Sequence, residues 1–185
     1  MYLILYTSKE IQRNLRRYLL RIIDSNIEPF SGGGVVMKAK HANPFLSSVS
    51  NVFEMMTGIK VEKGDIRKGK GIESDKLYTL FFKVSNGLTG YFAISFDEEV
   101  ALNLVEKMTG EKKEMIDEMG LSALMEMSEM IKGNAITELA TLGVECEADV
   151  AKVKEDSDHF KEDTVILSMT SELGVIDNHI YIKEL

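Results

Sequence analysis

The chain lacks the residues that staple small proteins together. It has one cysteine, Cys146, in 185 residues. No internal disulfide can form, and no cysteine cluster can bind zinc. This fits a reducing compartment, and a cytoplasmic location is expected. No apolar run reaches the roughly 18 residues that a membrane helix needs, so no membrane insertion is expected. Residues 1–6 are apolar but stop at Thr7-Ser8-Lys9. They have no basic leader and are too short for a signal peptide, so export is not expected. Positive charge is also scarce: 22 Lys and Arg stand against 30 Asp and Glu, a net charge of −8. A nucleic-acid binder usually shows a basic footprint, and none is large enough here. The nearest stretch, 60–76, alternates basic residues with Glu62, Asp65, Glu73 and Asp75, and reads as a solvated edge and loop.

Familiar catalytic motifs are missing too. There is no Walker loop, no Rossmann glycine pattern, no HExxH and no nucleophile elbow. His41, His159 and His179 lie far apart in different elements, which argues against a histidine metal site. Cys146 falls in a strand-like run and reads as a packed or edge thiol.

What is present is globular: 44% hydrophobic and 28% charged residues place the chain outside the disordered class. The length suits one domain plus an appendage. Residues 2–6 read as a short buried strand. Ser8 then caps a helix to about residue 23, with Ile11, Leu15, Tyr18, Leu19 and Ile22 on one face. Pro29 and Ser31-Gly32-Gly33-Gly34 break the pattern. We therefore divide the chain into an N-terminal strand–helix extension with its linker, 1–36, and a main domain, 37–185. The extension is basic, with five Lys/Arg against three Asp/Glu, and reads as a structural piece packed on the main domain.

In the main domain a helix is expected over 41–57, with Phe45, Val49, Val52, Phe53 and Met56 as its apolar stripe and Pro44 in its first turn. Strands are expected over 59–66, 77–85 and 88–96, the last two joined by the hairpin signal Asn86-Gly87. Tyr78-Leu80-Phe82, alternating with Thr79-Phe81-Lys83, marks a strand that is central or at a seam. Asp97 caps a helix to Thr109-Gly110, and the longest helix runs over 117–142 to Gly143. Strands over 144–154, 164–171 and 175–182 close the chain. Hairpins with few crossovers imply an α+β fold, an antiparallel sheet with helices on one side.

The long helix carries the one candidate site. At 100° per residue, Leu124, Ile131, Ala135 and Leu142 fall within about 80° of Met127 and form the core stripe. Ser122, Glu126, Glu129 and Gly133 share a separate sector only about 60° wide. Two carboxylates three apart thus project together, with a hydroxyl one turn before and a glycine one turn after. On pattern alone, such glutamates also suit a solvated face. The methionines, among them Met115, Met119, Met125 and Met130, suit flexible core filler or a surface that accepts a partner helix.

Residues 124–135, Leu-Met-Glu-Met-Ser-Glu-Met-Ile-Lys-Gly-Asn-Ala, resemble the signature helix of the CheC/CheX/FliY family of CheY-phosphate phosphatases. Residues 37–46, Met-Lys-Ala-Lys-His-Ala-Asn-Pro-Phe-Leu, and Asn51-Val52-Phe53-Glu54 are similar to the amino-terminal helix of the CheX subfamily. The resemblance runs from Met37 to the end. It implies a CheX-like antiparallel sheet with long helices packed on it. It also implies a chemotaxis signalling protein that binds a phosphorylated CheY-like response regulator and removes its aspartyl phosphate without a covalent enzyme intermediate. A homodimer is implied, with no cofactor of its own and Mg²⁺ supplied by the receiver. In the family pattern a glutamate docks on a receiver lysine and an asparagine amide orients the attacking water.

Carried over by position, Ser122 matches the first signature residue and Glu126 the docking glutamate. Glu129 stands where the family has asparagine. The family's proline position falls at Ala151 or Lys152, and no proline is there. An amide both donates and accepts, whereas an ionised carboxylate only accepts and sets negative charge beside a phosphoryl group. Asn134 points toward the core side of the wheel and reads as a buried structural residue. Three functions follow: a phosphatase using Glu126 and Glu129 with Ser122 and Gly133 against the partner, a non-catalytic CheX-like dimeric binding or scaffold module, or a carboxylate metal site at Glu126 and Glu129. Finally, Ile4-Leu5-Tyr6-Thr7-Ser8 faintly resembles the start of a receiver domain, with Tyr6 and Thr7 in place of its acidic pair.

Overall fold

Alternation of large apolar residues on two strands and a 3.6-residue period on three helices set the architecture. The computed structural model describes residues 38–72, 75–155 and 158–185. The strand, helix and linker expected within 1–36 lie outside the described residues. The elements run α1 (Ala39–Thr57), β1 (Glu62–Lys70), β2 (Tyr78–Ser85), β3 (Leu88–Phe96), α2 (Glu98–Thr109), α3 (Glu118–Thr141), β4 (Glu147–Ala148), β5 (Lys152–Val153), β6 (Asp163–Ser171) and β7 (Gly174–Glu184). This is the expected α+β fold.

The strands form one seven-stranded antiparallel sheet in the order β1-β6-β7-β3-β2-β4, with β5 also on β2. The β2–β3 hairpin turns at Asn86 and Gly87, both at positive φ (56° and 87°), the geometry of a two-residue primed turn. At Gly90 the sheet draws so close that an added Cβ would sit 1.8 Å from the Tyr181 carbonyl oxygen.

The three helices cover one sheet face. Phe45 of α1 is fully buried and stacks on Phe92 at 5.3 Å between ring centroids, with Phe82 at 6.0 Å. Leu124, Met127, Ile131 and Ala135 bring α3 into the same core. On the opposite face, Ile72, Phe81, Tyr91 and Ala93 make a smaller cluster under Phe160. Beside it lies a buried polar chain: Thr79 and Ser95 hydroxyls at 2.8 Å, then Ser95 Oγ to His179 Nε2 at 3.1 Å. Among the described residues no helix is long and apolar enough to cross a membrane.

Several local expectations shift. α1 begins two residues early, so Pro44 lies in its second turn rather than its first. β1 spans Glu62–Lys70, three residues later than expected at its start, and its pairing with β6 passes through an irregularity between Lys63 and Ile66. Asp97 does precede α2, but its carboxylate accepts from Lys76 Nζ at 2.7 Å instead of capping the helix. Leu142 is exposed because α3 ends before it. The strand expected over 144–154 is broken: β4 and β5 both pair with β2, but the register advances by one residue between them. That is a bulge, in which one residue more on one strand leaves part of the ladder unpaired.

Candidate functional site

α3 is positioned at both ends by its own sequence. Asp117 occupies the N-cap and its Oδ1 accepts from the Gly120 N–H at 2.8 Å. Gly143, at φ 76°, follows the C-cap. Between them the apolar stripe seats the helix, which forces the opposite stripe outward. Ser122, Glu126 and Gly133 are exposed along that outer stripe, as the wheel predicts, and a Cβ added at Gly133 would meet nothing within 4 Å. Met119 continues the exposed line toward the N-terminus. Glu126 shows no hydrogen bond or ion pair among the described residues.

Glu129 is in a different situation. Its side chain is 37% exposed and both oxygens are engaged. One takes an ion pair from Lys132, one turn on. The other, Oε1, accepts from the Ala151 backbone N–H at 2.5 Å. Lys132 Nζ also donates to the Asp149 carbonyl oxygen at 3.1 Å. Burial pushes the Glu129 carboxyl up, but the Lys132 ammonium and the Ala151 N–H outweigh it and hold it below the usual glutamate range. Glu129 is thus an anion with both oxygens engaged within the fold. It touches Ala151, one of the two residues at which the family's proline position falls, a pairing with no signal in the linear sequence.

Asn134 is exposed rather than buried, because it lies just past the helix sector that faces the sheet. No group of three or more His, Cys, Asp or Glu among the described residues is placed to hold a metal ion, and the oxygens of Glu129 already face Lys132 and Ala151. His41 and His179 are buried in α1 and β7, and Cys146 is half-buried just past the end of α3.

Residues 78–172 match the family model described as chemotaxis phosphatase CheX. The chain belongs to the CheX family. The matched span begins with β2 and includes the whole of α3 and the bulged strand. A similar curated protein is the CheY-P phosphatase CheX of Thermotoga maritima, 29% identical over 108 residues, 58% of this chain and 70% of that protein. Among solved structures, a CheC-like superfamily protein from Shewanella sp. PV-4 is 25% identical with a TM-score of 0.71, covering 80% of this chain and 99% of that one. The CheX-CheY-BeF3-Mg²⁺ complex of Borrelia burgdorferi is 24% identical with a TM-score of 0.64, covering 78% of this chain and 98% of that one. That likeness is one of CheX fold.

Proposed function

We propose that this chain binds the phosphorylated form of a CheY-like response regulator through the outer stripe of α3, and holds the aspartyl phosphate rather than hydrolysing it. Glu126 docks on a basic residue of the receiver, and Ser122 and Gly133 meet the partner on either side. The CheX-type protein in complex with CheY, BeF3 and Mg²⁺ supports the choice of partner, as does the name of the Thermotoga relative. Mg²⁺ comes with the receiver, and the chain works as a cytoplasmic homodimer.

The observation that carries the non-catalytic half of this reading is the double engagement of Glu129. Hydrolysis needs a group that holds a water in line with the phosphorus. A carboxylate tied to Ala151 and Lys132 offers no donor, and both of its oxygens are turned to contacts within the fold rather than to a water.

The test is loss of aspartyl phosphate from a CheY-type receiver in excess Mg²⁺, with and without this protein, alongside binding of the phosphorylated receiver. Binding without acceleration is expected. Clear acceleration would establish the phosphatase reading instead, and absence of binding would remove both.

A further inference from the structure

The bulge between β4 and β5 leaves backbone groups that the β2 ladder cannot use. Asp149 N still donates to the Lys83 carbonyl, and Lys154 N to that of Thr79. Between these, the Ala151 N–H is turned away from β2 and toward α3. Ala151 is 1% exposed, so an unpaired amide there would carry a desolvation cost. Glu129 removes it with a charge-assisted hydrogen bond across 22 residues of sequence. Lys132 fastens the other end of the same three-residue segment through the Asp149 carbonyl, and neutralises Glu129 as it does so. Between the two fastened residues stands Val150, 67% exposed. Bulges of this kind re-aim side chains beside functional surfaces.

We propose that Glu129 is a positioning residue: with Lys132 and the Ala151 amide it clasps the 149–151 bulge to α3 and fixes that bulge, with Val150 at its tip, as one wall of the receiver-docking face. The inference rests on the docking reading for its functional half and on the Glu129–Ala151 contact for its structural half. It assigns Glu129 a role that needs no contact with the phosphoryl group. It also explains how an anion is tolerated on a face meant for a phosphorylated partner, since its charge is spent on Lys132.

Two measurements on the full chain test it. The first needs no partner: hydrogen exchange of the Ala151 amide in the wild type, Glu129→Ala and Glu129→Gln. Glu129→Ala should accelerate that exchange by about tenfold or more. Glu129→Gln keeps an acceptor and should fall between. The second is the Kd for a CheY-type receiver locked with beryllium fluoride and Mg²⁺. Glu129→Ala and Val150→Ser should each raise it several-fold, on the order of fivefold, with Glu129→Gln close to the wild type. Unchanged exchange in Glu129→Ala would overturn the clasp. Faster exchange with an unchanged Kd would overturn the positioning role and leave a purely structural staple. Failure of the wild type to bind the receiver would sink the docking reading and the positioning role with it, while the exchange result would still decide the clasp.

Discussion

Glu126 and Glu129 stand one turn apart on the same stripe of α3, yet Glu126 points into solvent while Glu129 is held by the Ala151 amide and the Lys132 ammonium. The same side-chain chemistry therefore has two uses on one helix face. Glu126 is available to a partner, and Glu129 is spent within the fold. Five predictions follow from this division and from the fold that imposes it.

Glu126→Ala should weaken binding of a phosphorylated CheY-type receiver about tenfold or more, because truncating one member of an interfacial charge pair leaves the other unpaired. Titration calorimetry against the beryllium-fluoride form measures it. An unchanged Kd with an intact fold would remove Glu126 from the docking role.

Glu129→Asn exchanges an acceptor-only anion for an amide too short to keep the Ala151 contact. With the receiver saturated, so that weaker docking from the lost clasp does not enter, it should speed loss of the receiver's aspartyl phosphate by on the order of tenfold or more over the wild type. Radiolabelled phosphoreceiver reports this directly, and a variant as slow as the wild type would mean that position 129 does not limit hydrolysis.

Gly133→Ala separates stability from binding. The added methyl meets nothing within 4 Å and removes glycine's entropic cost in a helix, so unfolding free energy should rise by about 1 kcal/mol. Receiver affinity should fall if, as proposed, the partner's backbone approaches through that open space. A variant that is both more stable and equally tight would show that the space is unused.

Acid sensitivity should trace to His179. Burial, with a smaller push from Arg67, drives its imidazole from 6.5 down to about 4 against the opposing pull of Asp177. The folded value lies below the unfolded one, so the unfolded chain binds the extra proton between these limits and stability rises with pH across about 4 to 6.5. The contribution, about 3 kcal/mol when complete, is present above pH 6.5 and lost as pH falls to about 4. Urea unfolding over that range should show a flatter pH dependence for His179→Gln; equal slopes would contradict it.

Gly90→Ala should destabilise the domain by about 2–4 kcal/mol. Its φ of 142° is left-handed territory, and the new Cβ would meet the Tyr181 carbonyl oxygen. Thermal unfolding is the measurement. A change below about 0.5 kcal/mol, the level of a neutral surface substitution, would show that β3 and β7 can move apart at little cost.

Elements whose signals are local were legible in the chain. Asn86-Gly87 set the hairpin, Gly110 and Gly143 closed their helices, and the period of Leu124, Met127, Ile131 and Ala135 placed the outer stripe on Ser122, Glu126 and Gly133. These depend on backbone conformation and burial over a few residues. Signals that need a distant partner misled. Asp97 has the side chain of a cap, yet Lys76 claims it. The run 144–154 has the composition of one strand, yet its register against β2 slips.

The sequence by itself determined the α+β class, the exposed helix face and the two departures from the family pattern, one at Glu129 and one at Ala151 or Lys152. Only the tertiary structure decided that Glu129 touches Ala151. A hydrogen bond between a helix carboxylate and a bulge amide 22 residues away requires the sheet, the bulge and the helix to be assembled first. No periodicity or spacing along the chain encodes that meeting, because it is made by the packing of α3 beside a strand whose ladder has slipped by one residue.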